Sequence, residues 1–204
     1  MKKSTEIIAI AVAAVLAAGV VCGCSSSDGG DKLPVPSQTV TQGDDHKITD
    51  GLHKINVGAT DIDYIIDGAT EYTYVLPENA TTKERTAARL LVKWTENSSG
   101  ARLAENSAPM WSGMAKLIVL NNDKLFDAAG LSMPSDDIGA TGYYITTKGD
   151  SVFIMANAEQ GVLNGTLEFL YHTVGYEMFA DDAVSLNNET SVKLPAFDVT
   201  DKPD

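Results

Sequence analysis

The stretch GYYITTKGDSVFIMANAEQGVLNGTLEFLYHTVGYEMFA, residues 142–180, decides the fold. Residues 143–147 and 151–156 are rich in β-branched and aromatic side chains and read as two strands joined across Lys148-Gly149-Asp150. Gly149 can supply the positive φ that a tight hairpin needs. Asn157, with Gln160 three residues on, stands where a helix cap is expected. Leu163, Leu167, Leu170 and Val174 recur at i, i+4, i+7 and i+11 and predict that helix's buried face. Gly175 is the expected stop, and residues 176–180 and 191–194 are candidate closing strands.

Upstream, residues 53–57, 62–66 and 71–76 read as short strands, the third ended by Pro77. Thr81-Thr82-Lys83-Glu84 is a capping box: the Thr81 hydroxyl faces the third helical amide while Glu84 reaches back. Ala87, Leu90, Leu91 and Trp94 then fall at i, i+3, i+4 and i+7, one stripe of a helix that residues 97–100 stop. Residues 116–120 form a compact apolar strand, and residues 121–129 a short helix or turn ending at Gly130. Strands interspersed with two well-marked helices predict an α+β, two-layer sandwich, its mixed or antiparallel sheet carrying two main helices on one face. Residues 51–204 suit one domain of common size, with no internal repeat or low-complexity tract.

The N-terminus carries an address. Lys2 and Lys3 precede a 16-residue apolar run, residues 7–22, shorter than the roughly 20 residues of a spanning helix. A positive start, a short hydrophobic core and small exit residues describe a secretory signal. Val21-Cys22-Gly23-Cys24 resembles the bacterial lipobox, and the resemblance implies removal of residues 1–23 and a lipid on Cys24. A plain secretory signal with a Cys22/Cys24 metal or disulfide pair is the alternative, although one Cys-x-Cys makes a poor zinc site. A single acyl chain holds a membrane only marginally, so the two or three chains of such lipoproteins are what would anchor it. Residues 24–50 turn to Ser, Gly, Asp, Thr and Gln without periodicity, a flexible tether reaching on the order of 30 Å. The expected location is a cell membrane, lipid-anchored and extracytoplasmic. Ser25 lacks the Asp that favours inner-membrane retention in some Gram-negative bacteria, which leans the expectation outward.

The formal net charge of −13 becomes −14 once Lys2, Lys3 and Glu6 leave with the signal. Such acidity repels nucleic acid and anionic headgroups, so neither is expected as a partner, and solubility is the simpler use of the charge. With Cys24 lipidated no other cysteine remains, and the fold must rest on its hydrophobic core.

No catalytic apparatus is visible. Asp61-x-Asp63, Asp136-Asp137 and Asp181-Asp182 are the local acidic pairs, but neighbours on a strand face opposite ways and do not by themselves make an acid/base dyad. His46, His53 and His172 are scattered, with none of the paired spacings of a zinc site. There is no nucleophile elbow and no phosphate loop, and neither metal nor cofactor is expected. Gly161 and Gly165 read as a close approach of helix to sheet. Among the aromatics, Trp111, in the irregular residues 106–114, is the candidate for a ligand contact in an exposed loop.

The ordered series Leu117-Ile118-Val119-Leu120, Gly142-Tyr143-Tyr144-Ile145, a Gly-Asp turn, Val152-Phe153-Ile154, residues 160–170 (QGVLNGTLEFL) and Gly175-Tyr176-Glu177-Met178-Phe179 resembles a known domain. It is similar to the small N-terminal domain of glycoside hydrolases of the α-glucuronidase and β-hexosaminidase type. The resemblance implies a sheet with two helices on one face, followed by a (β/α)₈ barrel that holds the active site and draws no catalytic residue from the small domain. Residues 193–199 and 201–204 then look like the link into that barrel. A barrel takes about 250 residues, more than this chain of 204. The expectation is a non-catalytic accessory domain of a lipid-anchored protein of carbohydrate degradation, its partners the membrane and a downstream barrel or a polysaccharide. The alternatives are a stand-alone surface lipoprotein that binds a glycan or protein, and an autonomous small enzyme.

Overall fold

A computed structural model describes residues 53–180 and 183–202. The signal, Cys24, the tether, His46 and the Asp181-Asp182 pair lie outside the described residues. In chain order the elements begin with β1 (Lys54–Gly58), β2 (Asp63–Ile65), β3 (Thr73–Val75), α1 (Thr82–Ser99) and β4 (Ala104–Glu105). Next come β5 (Leu117–Leu120), α2 (Asp123–Ala128), β6 (Tyr143–Lys148), β7 (Ser151–Met155) and α3 (Glu159–Val174). The hairpin strands β8 (Glu177–Ala180) and β9 (Ala183–Ser185), then β10 (Val192–Lys193) and β11 (Ala196–Asp201), complete them.

The fold is α+β. Seven strands form one mixed sheet in the order β1-β11-β6-β7-β5-β3-β4. From β1 to β7 the pairings are antiparallel, and from β7 to β4 they are parallel. β2 pairs with β10, and β8 with β9, as separate two-stranded ribbons. The predicted hairpin is present, with Lys148 opposite Ser151 and Gly149 at φ 57 between them.

α1 and α3 lie side by side on one face of the sheet. Ile118, Leu120, Ile145, Ile154 and Val199 point at them and meet Leu91, Phe169 and Leu170. The other face is not left to water. Leu117, Val119, Phe153 and Met155 pack beneath Leu125 and Phe126 of α2, with Trp111, Leu131 and Met133 at the margin. β5 and β7 are therefore buried on both sides, which explains why they read as unbroken apolar runs rather than alternating ones.

The capping box at Thr81 is formed in both directions, and Gly100 ends α1 in the left-handed region at φ 83. Glycines set the spacing of α3 from the sheet. A Cβ on Gly161 would sit 2.0 Å from the Gly142 carbonyl oxygen, and one on Gly165 would sit 2.8 Å from Ile154 Cγ2.

Four expectations are corrected. Of residues 193–199 and 201–204, read as a link, 196–199 and 201 belong to β11 (Ala196–Asp201), an internal strand between β1 and β6 whose Phe197 and Val199 are buried. Residues 191–194 close only the small ribbon with β2. Asn157 does not cap α3: the cap position is Ala158, without a side-chain bond, and the Asn157 amide donates to the Asp136 carbonyl at 2.7 Å. Leu90, Trp94, Leu163 and Leu167 are only half-buried, because the stripes are rotated toward Ala88 and Thr95 on α1 and toward Val162, Thr166 and Phe169 on α3.

Candidate functional site

The acids and histidines singled out from the sequence do not converge. Asp63 pairs with Lys193 Nζ at 2.7 Å across the β2–β10 ribbon. Asp137 accepts the Gly139 amide at 3.0 Å and faces Lys202 Nζ at 3.4 Å. That amide bond first, and then the lysine's charge, hold its carboxyl below the usual carboxylate range. His53 Nδ1 lies 2.7 Å from Asp201, and His172 Nε2 lies 3.0 Å from Glu168 one turn earlier on α3. Among the described residues no three His, Cys, Asp or Glu side chains gather as a metal-ligand cluster. No described helix is long and apolar enough to cross a membrane.

Trp111 is not the exposed platform expected of it. It is half-buried against the core on the α2 side, with its indole Nε1 enclosed and without a hydrogen-bond partner. Met110 and Met114, nearby in the same loop, are the side chains it leaves in solvent.

A cleft of about 580 Å³ opens instead at the carboxyl ends of the parallel strands. Its origin is topological. β3 leads into α1 on one face of the sheet, while its neighbour β5 leads into α2 on the other, so the connections diverge and leave a crevice between them. Residues 76–79, 105–107 and 121–125, with Arg85 and Pro109, line it.

Two consecutive asparagines hold its base. Asn122 caps α2 through Oδ1 to the Leu125 amide at 3.1 Å, and its Nδ2 donates to the Leu76 carbonyl at 3.1 Å, tying β3 to α2. Asn121 has φ 49, a conformation that asparagine tolerates better than most residues. Its Oδ1 accepts from the Ala156 amide at 3.1 Å and its Nδ2 donates to Glu84 Oε1 at 2.8 Å. Glu84 is almost wholly buried, and its other oxygen accepts the Thr81 amide at 2.7 Å. One chain of bonds thus runs from the α1 cap through Asn121 to the end of β7.

The rim is differently built. Glu78, in the loop after β3, pairs with Lys124 in the first turn of α2 at 3.0 Å, both in solvent. Arg85 and Glu105 have no ion-pair partner among the described residues, and Glu105 accepts only the Tyr74 hydroxyl at 3.3 Å. A smaller recess of about 340 Å³ adjoins, sharing Arg85 and Glu105 and adding Tyr74 and Arg89. Sequence reasoning passed over this site because each segment reads alone as a turn. The one available signal was Asn121-Asn122 directly after an apolar strand.

A second concavity, about 590 Å³ and open to solvent, lies between α3 and the β8–β9 hairpin beside Tyr171 and Phe179. Tyr143 lines it, and burial raises its phenol well above the usual value, helped by the charges of Glu168 and Asp201.

No protein-family model matches the chain. No curated protein sequence matches it. Among solved structures it is similar to parts of glycoside hydrolases. A family GH20 exo-β-N-acetylglucosaminidase of Vibrio harveyi matches at 12% identity over 72% of this chain and 18% of that one, with a TM-score of 0.41. A family GH115 4-O-methyl-α-glucuronidase with specificity for decorated arabinogalactans matches at 14% over 52% and 14%, with a TM-score of 0.41. Flavobacterium johnsoniae chitobiase matches at 13% over 72% and 20%, with a TM-score of 0.39. The chain spans a fifth or less of the length of these enzymes.

Proposed function

We propose that this chain is a non-catalytic accessory domain of a protein of carbohydrate degradation, held at a cell membrane through a lipid on Cys24. The observation that carries the reading is the motif series, whose segments fall on regular elements in chain order, with α2 between the first and the second. The apolar run is β5, the Gly-Asp hairpin is β6 and β7, the glycine-spaced helix is α3, and the last segment is β8. In the domain that the series resembles, these elements form a scaffold beside a barrel that does the chemistry. The described acids fit a scaffold, since Asp63, Asp137 and Glu84 are each taken up by a lysine or by backbone and amide donors.

Two experiments test the reading. Sequencing the same frame beyond Asp204 is expected to enter a barrel with carboxylates at its strand ends; a stop codon with no barrel following would overturn the accessory role. For the anchor, palmitate labelling in cells is expected to mark the chain and to vanish in Cys24→Ala but not in Cys22→Ala.

A further inference from the structure

We propose that the cleft at the carboxyl ends of β3 and β5 binds a neutral saccharide, with the Arg85 guanidinium and the Glu105 carboxylate bracketing a pair of vicinal hydroxyls. The inference rests on what the cleft has left over once its internal bonds are counted. Asn121 and Asn122 spend their side chains on the fold, and Glu78 and Lys124 neutralise one another. Arg85, Glu105, Asp123, the Ser107 hydroxyl and the Asn79 amide remain, with no charged partner among the described residues and all lining the same space. A guanidinium only donates, a carboxylate only accepts, and an amide does both. That combination fits hydroxyl groups, which donate and accept at once, with Leu76 and Pro109 offering apolar surface to a ring.

Charged ligands fit worse. An anion drawn to Arg85 would face Glu105 and Asp123 across the cleft. The N-terminus of α1, otherwise a natural anion site, is closed by its own capping box, in which Glu84 already occupies the Thr81 amide. A cation drawn to Glu105 would meet Arg85. The adjoining recess, lined by Tyr74 and Arg89 together with the same two side chains, gives room for a second sugar ring.

The test is a titration of the isotope-labelled full chain, followed by amide NMR, with cellobiose, xylobiose and N,N′-diacetylchitobiose as neutral probes. Glucuronic acid and inorganic phosphate are the charged counter-probes. At least one neutral disaccharide is expected to shift the amides of Asn79, Arg85, Glu105 and Asn122 saturably. Arg85→Ala and Glu105→Gln are each expected to weaken it at least about tenfold, the worth of one charge-assisted hydrogen bond. Both side chains lie at the rim, so the thermal midpoints should stay within a few degrees of the parent. Tyr171→Ala, in the open concavity, should leave the affinity unchanged. The proposal is overturned if no neutral disaccharide moves the cleft amides, if only phosphate or glucuronic acid does, or if Arg85→Ala and Glu105→Gln both bind as the parent does. Should Arg85→Ala fail to fold, the shift map of the parent and the Glu105→Gln titration still decide. The proposal leans on the accessory-domain reading only for its choice of probes. Disaccharide binding with no barrel in the frame would remove that reading and keep the cleft; a barrel following a cleft that ignores all three sugars would do the reverse.

Discussion

The two halves of the sheet solve the same burial problem with opposite results at their ends. In the antiparallel half, β6 and β7 are joined by a two-residue turn at Gly149-Asp150, and no crossover is needed between them. In the parallel half, β3 and β5 run the same way and must each be followed by a crossover, so their carboxyl ends lie together while the chain departs to opposite faces. Only the second arrangement leaves a crevice as a consequence of topology. The lesson is local: the cleft follows from shared strand direction, whereas the concavity beside Tyr143 and Asp201 in the antiparallel half is made by α3 and the β8–β9 hairpin laid over the strand ends.

The sharpest way to break the antiparallel half is to push α3 off it. Gly161→Val is expected to cost more than about 4 kcal/mol in urea unfolding, since its Cβ would stand 2.0 Å from a backbone oxygen with no flexible atom to yield. Gly113→Ala is the control, because a Cβ there meets nothing within 4 Å, and it should change stability by less than about 0.5 kcal/mol. Equal losses in the two variants would dispose of the close-packed seam.

High pH should break both halves together through the core they share. Burial raises the phenols of Tyr64, Tyr72 and Tyr143, so the folded chain keeps protons that the unfolded chain releases near pH 10. The contribution of these phenols to stability is therefore intact below about pH 10 and falls above it. The fall is at most about 4 kcal/mol per pH unit for three phenols at about 1.4 each, and less to the extent that water screens Tyr72 and Tyr143. Tyrosinate absorbance and far-ultraviolet circular dichroism should change in step; tyrosinate appearing first, in a folded chain, would refute the burial argument. Tyr72→Phe removes a hydroxyl that has no partner and should lessen the slope by about a third.

The parallel half is held by single polar side chains and should respond by smaller amounts. Asn121→Ala loses the bonds to Glu84 and Ala156 and places alanine at φ 49, an expected cost of about 2–3 kcal/mol. Asn121→Gly relieves only the backbone part, so the difference between the two variants separates strain from hydrogen bonding. The smallest effect, about 1 kcal/mol, is expected for Thr81→Ala, which removes one cap donor–acceptor pair and leaves the rest of α1 in place.

Much of this fold could be read from short-range chemistry. The capping box at Thr81, the Gly149 turn, the Gly175 stop and the small residues at Gly161 and Gly165 all act within a few residues or a single contact, and each is where the sequence put it. What escaped depends on distant partners. The alternation of Phe197 and Val199 against Asp198 and Thr200 is a fair strand signal, but it follows Pro195 and sits where the family resemblance supplies a link. Asn157 has the chemistry of a cap, and only the nearness of the Asp136 carbonyl diverts its amide. β4 is two residues long and carries no pattern at all. The cleft was the least accessible, since its walls come from segments up to about 45 residues apart that meet only because β3, β4 and β5 are parallel.

The position of β11 has a bearing on biosynthesis. Its neighbours are β1 and β6, so the register from Lys54↔Thr200 to Gly58↔Ala196 ties the first and last described strands together. Until residue 201 has left the ribosome, β1 has nothing to pair with and β6 keeps a bare edge, the kind of surface that recruits other chains. A nascent polypeptide stalled a few residues short of Asp201 would therefore be a half-knit sheet with an open flank, a natural client for a chaperone.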